Sequence, residues 1–342
     1  MKRILGLATG LVTASMMVAS AAAQEVTLTL HHLLGPKSPA QTQMLEPWAK
    51  SVEEASGGRI KVEIYPAMSL GGKPPELYRQ ARDGVVDIVW TVLGYTPGVF
   101  PRSEVFELPT VHRGSARETT VAMAEAYDLI AEDFKDIKPI LLHTHGGQAI
   151  HMVSKEVRSP DDLTGMKLRT PSRTGGWTIE AYGAEPVGMP VPDLPQALSK
   201  GVVDGTLVPF EIFLALKLQE LTAVSTVGAG GARFGTSTFM IGMNKDRYES
   251  LPDDLKKVID DHSMGNIAET YGAVWDGIEE GGLKLRKETG KLVELTAEET
   301  KAFDDRAQIV IDRWIAEANG NGMDGAGMVE KAKAAVAKAG GQ

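Results

Sequence analysis

The 342-residue sequence predicts an α/β protein of two lobes, with strands that cross between the lobes and a helical tail. Strand-like and helix-like segments alternate over residues 26–144 and again from Pro160, which indicates two units of the same kind. The segment 238–243 is typical of a strand that crosses back to the first unit. From Pro252 onward the pattern is almost entirely helical, and one helix there is long enough to span both lobes.

The first unit opens with a strand in which Val26, Leu28 and Leu30 alternate with polar residues. Ser38 follows a glycine- and proline-rich break and is suited to cap the next helix. The later elements of this unit are that helix with an apolar stripe through Trp48, a strand at Ile60–Tyr65, a helix at Pro74–Arg82, a strand at Val85–Val92, a helix at Ala116–Ala131 and a strand at Lys138–Thr144. Nearly unbroken apolar strands between helices predict a parallel sheet covered on both faces.

The second unit and the tail complete the predicted division of the chain. Their elements are strands at Met166–Arg169 and Val202–Val208, helices at Trp177–Tyr182 and Pro195–Ser199, the crossing strand at Thr238–Met243, and helices from Pro252 to about Thr289, at Ala297–Ala318 and at Gly327–Ala339. We expect a signal peptide at 1–23, a first lobe at 24–147 with 236–273, and a second lobe at 148–235 with 274–342, which includes the C-terminal helices.

The first 23 residues predict export from the cytoplasm. Lys2 and Arg3 precede a mostly apolar run, and Ala21–Ala23 forms a small-residue cleavage site, which is the order of a secretory signal peptide. The run falls short of the roughly 20 strongly apolar residues of a spanning helix. We therefore expect the mature chain in the periplasm.

Composition and missing motifs narrow the possible chemistry. The chain has no cysteine, which excludes disulfides, thiolate metal sites and a lipoprotein anchor. Loss of residues 1–23 changes the net charge from −9 to −11 (34 basic against 45 acidic residues), which is unsuited to binding nucleic acid. Esterase, P-loop and His-Glu-x-x-His motifs are absent, and the glycine-rich 228–231 precedes no helix, so neither an enzyme nor a cofactor is predicted. His143 and His145 share a strand face, but no further ligand at a recognised spacing supports a metal.

A series of short motifs follows one order along nearly the whole mature chain. They are Ile64-Tyr65-Pro66 with Leu70-Gly71-Gly72, Asp83-Gly84-Val85-Val86-Asp87, the stretch 160–172 that contains Leu168-Arg169-Thr170-Pro171, Gly183-Ala184-Glu185-Pro186-Val187, Gly201-Val202-Val203-Asp204-Gly205, Asn244-Lys245 and Leu251-Pro252. This ordered set resembles the substrate-binding proteins of tripartite ATP-independent periplasmic (TRAP) transporters, the DctP-like family.

The resemblance implies a two-lobed periplasmic-binding-protein fold with hinge strands, a long lobe-spanning helix and a helical C-terminal tail. It also implies lobes that close on a ligand, delivery of that ligand to small and large membrane subunits, and a ligand-binding role for Arg169. The residues themselves support that role, because Arg169 ends a strand just before Pro171, where ligands meet an open α/β sheet. A planar guanidinium can hold a carboxylate through two hydrogen bonds.

The chain departs from the family pattern in ways that predict an apolar site. Ala149 and the residues before it replace a second arginine that many members carry, and members often have an asparagine at Val208 and an aromatic residue near Val191. Positions that are polar in sugar-acid binders align with Leu34, Val92 and Val208. Further candidates for the wall of the site are Trp90, Thr91, Tyr95 and Phe210, each of which could also be an ordinary core residue.

Three residues could add polar contacts to such a site. Lys73 or Arg173 could replace the missing arginine and make a dicarboxylate site, although each could equally be a solvated surface charge. His145 could donate a hydrogen bond to the ligand.

The sequence therefore predicts a receptor for a small organic carboxylate. An aromatic or otherwise apolar monocarboxylate is favoured, because a hydroxyl-rich acid would leave polar groups unpaired against apolar walls. The alternatives are a receptor for C4-dicarboxylates or sugar acids, a receptor of an ATP-driven transporter, a periplasmic ligand sensor for a signalling kinase and an extracytoplasmic enzyme. We expect no nucleic acid partner, and the chain could be a monomer or a dimer.

Overall fold

The structure, a computed structural model, describes residues 24–341, and the predicted signal peptide lies outside these residues. In chain order the strands are β1 Val26–His32, β2 Ile60–Tyr65, β3 Ile88–Val92, β4 Lys138–Thr144, β5 Ala149–Met152, β6 Lys167–Thr170, β7 Glu185–Gly188, β8 Gly205–Val208, β9 Val224–Val227, β10 Thr238–Met243 and β11 Lys291–Glu294. The α-helices are α1 Glu46–Ala55, α2 Leu77–Arg82, α3 Ala116–Glu125, α4 Arg173–Ala181, α5 Leu194–Ser199, α6 Ile212–Leu216, α7 Lys245–Glu249, α8 Asp253–Asp261, α9 Gly265–Thr289, α10 Ala297–Gly320 and α11 Gly325–Ala339.

The first sheet has the strand order β2-β1-β3-β10-β4. β1 runs parallel to β2 and β3, whereas β10 lies antiparallel between β3 and β4. The predicted crossing strand does return to the first unit. The expectation of a parallel sheet is wrong for β10, because this strand arrives directly from the second sheet and not through a helical crossover.

The second sheet has the order β11-β9-β5-β8-β6-β7. It is also mixed, since β5 lies antiparallel to β8 and β9, while β6 is parallel to β7 and β8. The chain enters this sheet between Thr144 and Ala149 and leaves it between Val227 and Thr238. Both transitions are short, so the two sheets are held close together at one end.

The long helix predicted from Pro252 is in fact two helices, α8 and α9. Met264 separates them with φ 49° and ψ −124°, and its N–H donates to the carbonyl oxygen of Ile140 in β4 at 2.6 Å. α9 nevertheless extends over 25 residues. It contacts α3 and β4 beside the first sheet and α6 and β11 beside the second, as a lobe-spanning helix must.

Two further helices differ in extent from the prediction. α3 ends at Glu125 because the chain continues in short 3-10 turns. α4 begins at Arg173 because the Ser172 hydroxyl caps it, accepting from the Gly175 N–H at 3.2 Å. Arg173 is therefore a helical residue, whereas Arg169 lies on β6.

The tail helices pack on different layers of the molecule. α10 packs on α4 beside the second sheet, and α11 packs on α3 beside the first. Packing thus associates residues 325–339 with the first sheet, whereas the sequence assigns all of 274–342 to the second lobe. Within residues 24–341, the helices lack the combination of length and apolar surface that a membrane crossing requires.

Candidate ligand-binding site

A small cavity lies between the two sheets. Residues from both sheets line it: Leu33, Leu34, Trp90, Val92, Tyr95, His145, Gln148, Arg169, Pro171, Val191, Leu207, Val208, Pro209, Glu211, Ile212, Ser237 and Phe239. Most of these side chains are apolar, so each polar one among them has a large influence on which ligand fits.

Arg169 is a buried cation that lines the cavity. It lies on β6 with 1% of its surface exposed. Its Nε donates to the Met189 carbonyl oxygen at 2.9 Å, and its Nη2 donates to the Tyr95 hydroxyl at 3.4 Å. Among residues 24–341 no carboxylate forms an ion pair with it. Burial lowers the pKa of Arg169, which reflects the cost of a desolvated charge, and a bound anion would offset that cost.

The hydroxyl of Tyr95 is a second hydrogen-bond donor beside this guanidinium. Its oxygen accepts from the Val191 N–H at 2.8 Å and from Arg169, and the hydroxyl itself donates to no acceptor in residues 24–341. Burial raises the pKa of Tyr95, so the hydroxyl keeps its proton. Tyr95 can therefore donate to the same anion as Arg169.

His145 presents a second neutral donor. Its Nδ1 accepts from the Gly147 N–H at 3.0 Å, which assigns the ring proton to Nε2. Burial lowers the pKa of His145 well below its usual value, so the ring remains uncharged. Nε2–H has no hydrogen-bond acceptor among residues 24–341, although His145 lines the cavity.

Aromatic rings form the wall contributed by the first sheet. Trp90 and Phe239 stack with centroids 5.5 Å apart and planes inclined by 6°. The indole N–H of Trp90 donates to His143 Nε2 at 2.9 Å, and His143 does not line the cavity. Trp90 therefore presents only apolar surface to the cavity, next to Val92 and Val208.

Three further polar side chains line the cavity, those of Gln148, Glu211 and Ser237. The amide of Gln148 donates to the Ser237 hydroxyl at 3.2 Å. Glu211 directly precedes α6, and its backbone N–H donates to Glu279 at 2.9 Å. The Glu211 side chain is 4% exposed.

Eight of the predicted site residues line this cavity together: Leu34, Trp90, Val92, Tyr95, His145, Arg169, Val191 and Val208. Thr91 does not, because alternation along β3 turns it away from the face that carries Trp90 and Val92. Ala149 and Phe210 are buried beside the lining residues Gln148 and Glu211, but they do not line the cavity.

The two additional cations predicted from sequence lie elsewhere. Arg173 binds Glu104 through hydrogen bonds of 2.6 and 2.7 Å, and binds Glu317 at 2.7 Å. Lys73 is exposed on the turn before α2. The structure brings neither to the cavity.

Sequence reasoning missed several lining residues: Leu33, Gln148, Pro171, Leu207, Pro209, Glu211, Ile212, Ser237 and Phe239. Most are chain neighbours of residues that were predicted, so a search one residue to either side would have found them. Ser237 and Phe239 carried no such signal. They reach the site because β10 pairs with β3, which sets Phe239 opposite Val92.

Residues 30–318 match the family described as bacterial extracellular solute-binding proteins, family 7 (DctP). The chain belongs to this family. Among its relatives is the C4-dicarboxylate-binding periplasmic protein DctP of Rhodobacter capsulatus. That protein is 25% identical over 310 residues, which cover 89% of this chain and 91% of the relative.

Two crystal structures of TRAP solute-binding proteins resemble the chain throughout. One, from an unidentified marine microbe, is described as specific for aromatic acid ligands and contains 3-hydroxybenzoate. It is 44% identical, covers 92% of this chain and 99% of its own, and has a TM-score of 0.90. The other, from Rhodoferax ferrireducens T118, contains copurified benzoate. It is 38% identical, covers 92% and 98%, and has a TM-score of 0.88.

The family assignment confirms the predicted two-lobed α/β fold and the TRAP resemblance. Proteins of this family bind solutes for transport, so the prediction that the chain is not an enzyme is confirmed, as is its periplasmic location. Across residues 24–341, no group of three or more His, Cys, Asp or Glu side chains is arranged to hold a metal ion.

Proposed function

We propose that this TRAP solute-binding protein captures an aromatic monocarboxylate in the cavity between its sheets. The observation that carries the proposal is Arg169, a buried guanidinium without a carboxylate partner among residues 24–341, in a cavity whose other walls are mainly apolar. A carboxylate would supply the missing counter-charge, and the apolar remainder of the ligand would fill the rest.

The donors around Arg169 support a carboxylate as the bound group. The Tyr95 hydroxyl lies 3.4 Å from the guanidinium, and within residues 24–341 neither this hydroxyl nor the protonated Nε2 of His145 donates to an acceptor. Hydrogen bonds from a charged donor to a carboxylate are about twice as strong as neutral ones. Arg169 would therefore supply most of the affinity, and the two neutral donors would fix orientation.

The walls favour a ring over a hydroxylated chain. Trp90 and Phe239 offer flat apolar surface, and the one indole N–H is already bound to His143. Each hydroxyl of a sugar acid left unpaired there would cost about 1–3 kcal/mol. The 3-hydroxybenzoate and benzoate found in the two related structures agree with this preference.

A C4-dicarboxylate is the rival suggested by the Rhodobacter capsulatus relative. Its second carboxylate would need another buried donor of positive charge. Arg173 is committed to Glu104 and Glu317, and Lys73 is exposed, so neither supports such a site.

Closure of two lobes would couple binding to delivery. We infer lobes at 24–147 with 236–273 and at 148–235 with 274–324, and we assign residues 325–339 to the first lobe on the packing of α11 against α3. A ligand that touches both lobes only when they meet favours the closed form by its difference in affinity for the two forms. The closed form would then be recognised by the small and large membrane subunits of the transporter.

Calorimetric titration of the purified mature protein tests the ligand class directly. Benzoate and 3-hydroxybenzoate should bind, and succinate and glucuronate should not. At about 100 times its dissociation constant, a bound acid should raise the free energy of unfolding by roughly 2.7 kcal/mol, which a thermal-shift assay detects. Binding confined to succinate or glucuronate would contradict the proposal.

The variant Arg169→Ala tests the residue that carries the proposal. Removing one partner of a buried charge pair costs about 2–5 kcal/mol, so affinity for benzoate should fall roughly 30- to 4,000-fold. Lys73→Ala is the matched control, because it removes an exposed cation and should bind normally. Near-normal binding by the Arg169 variant would rule out this site.

A further inference from the structure

Glu211 is the one acidic side chain that lines the cavity among residues 24–341. Its carboxyl group is almost completely buried, and within these residues it forms no hydrogen bond and no ion pair. Its backbone N–H is fixed by Glu279, so the position of the residue is set independently of its side chain. Buried polar groups are usually hydrogen-bonded, and an unpartnered one at a cavity is available to a ligand.

The groups around Glu211 favour its uncharged form. Glu279 on α9 is the nearest acidic neighbour, and it already pairs with Arg233 at 3.1 Å. The Arg233 guanidinium also lies over the Phe210 ring, 5.3 Å from its centroid. Burial, and then the charge of Glu279, raises the pKa of Glu211 well above its usual value. The side chain therefore offers one O–H donor and one carbonyl acceptor.

Glu211 and Arg169 reach the cavity from different elements. Arg169 lies on β6 opposite Thr206 of β8 and donates to Tyr95. Glu211 follows the end of β8, and its N–H is bound to Glu279 on α9. A ligand carboxylate held at Arg169 would thus direct the opposite edge of its ring towards Glu211.

We propose that Glu211 is a specificity-determining residue that hydrogen-bonds a hydroxyl group on the ligand ring, remote from the carboxylate. A phenolic hydroxyl is both donor and acceptor, and it matches the donor and acceptor of an uncharged carboxyl group. A hydroxyl next to the carboxylate would lie at the Arg169 end and miss Glu211. The inference rests on the proposed function, because it assumes an aromatic acid at Arg169.

The test compares the affinities of benzoate and of 2-, 3- and 4-hydroxybenzoate in calorimetric titrations. The wild-type chain should bind 3- or 4-hydroxybenzoate roughly tenfold or more tightly than benzoate, and 2-hydroxybenzoate should gain nothing. In Glu211→Met the ratio of affinities for hydroxylated acid and benzoate should fall by about tenfold. Glu211→Gln keeps a donor and an acceptor and should retain most of the ratio.

Glu220→Met is the matched control. It removes a carboxylate from the same segment, but one whose side chain is 62% exposed, so the ratio should stay at the wild-type value. Equal wild-type affinities for all four acids, or a ratio that survives in Glu211→Met, would overturn the inference. If Glu211→Met does not fold, Glu211→Ala replaces it under the same criteria. Failure of the wild type to bind any of the acids would instead overturn the proposed function.

Discussion

Tyr95 links the carboxylate site to the contact between the two sheets. Its oxygen accepts from Val191 in the segment after β7, while the ring belongs to the turn that follows β3. The same hydroxyl stands beside Arg169 with its proton unused. In the proposed complex, one atom thus contributes both to ligand binding and to the contact between the lobes.

Replacing Tyr95 by Phe should weaken benzoate binding about 10- to 150-fold. The variant loses a hydrogen bond to a charged group, which is worth about 1.5–3 kcal/mol. Titration calorimetry measures the loss. Tyr182→Phe is the matched control, since Tyr182 is another buried tyrosine and packs against Phe234 and Phe303 away from the cavity. Equal affinities of Tyr95→Phe and the wild type would show that the hydroxyl does not contact the ligand.

His143 should remain neutral throughout the physiological range. Its ring stacks with those of Trp90 and Trp275, and burial lowers its pKa to about 3. The NMR shift of its Cε1–H should therefore stay constant between pH 8 and 5. The unfolded chain takes up this proton near pH 6.5, so acidification from there towards pH 3 should lower the free energy of unfolding by up to about 1.4 kcal/mol per pH unit. A titration midpoint near 6 would mean that solvent reaches the ring.

The positions of residues in the cavity could be predicted only where local sequence determines them. Arg169 was placed there because its strand, proline and motif are contiguous in sequence. Arg173 was considered as a further ligand contact, but it lies outside the cavity with Glu104 and Glu317, which are 69 and 144 residues away. The unused proton of Tyr95 likewise depends on Val191, 96 residues later. Pairings over such separations leave no local pattern.

At the level of elements, long apolar segments were predicted well and short polar strands were not. The bounds of β2, β4 and β10 agree with the prediction. β5, β7, β9 and β11 have four residues each, too few for a periodic pattern, and β5 contains the polar His151. The break before α9 was missed because a tertiary hydrogen bond from Met264 to Ile140 helps to define it.

The end of α6 contains a backbone strain that a substitution should relieve. Lys217 caps this helix in the left-handed region, with φ 55° and ψ 38°, and its side chain is exposed. Glycine adopts this conformation without steric cost, so Lys217→Gly should raise the free energy of unfolding by about 0.5–1 kcal/mol. Urea denaturation measures the change.

Lys200→Gly is the control for that substitution. Lys200 also follows a short helix, α5, but with φ −91° and ψ −1° it has no left-handed strain. Glycine there should lower the free energy of unfolding because it only adds freedom to the unfolded chain. Similar changes in both variants would argue against strain at Lys217.

For the whole molecule, the contact between the lobes is as close as the backbone permits. A Cβ atom on Gly94 would lie 2.5 Å from the Cβ of Ser172 and 3.3 Å from the Pro171 carbonyl oxygen. Beside it, Arg173 binds Glu104, and the Thr174 hydroxyl donates to Glu107 at 2.6 Å. The chain segment between β3 and α3 therefore contacts the β6–α4 segment beside the cavity.

Gly94→Ala should hinder closure without unfolding either lobe. Overpacking at a tight contact costs about 1–3 kcal/mol, and here the cost applies only when the lobes meet. Benzoate affinity should fall roughly 5- to 150-fold, while the melting temperature of the ligand-free protein changes little. Gly35→Ala, at an exposed glycine with open space around it, should leave affinity unchanged. Wild-type affinity in Gly94→Ala would mean that the bound form is more open than this structure.

The contact between the lobes beside the cavity also has a kinetic consequence. Tyr95, Pro171 and Val191 line the cavity at the place where the lobes touch, so in the proposed complex a bound molecule would leave only after the lobes part. Related acids should then be captured at similar rates and differ mainly in residence time. The acid held longest would not be the one delivered fastest, and the membrane subunits would raise the flux by speeding up opening.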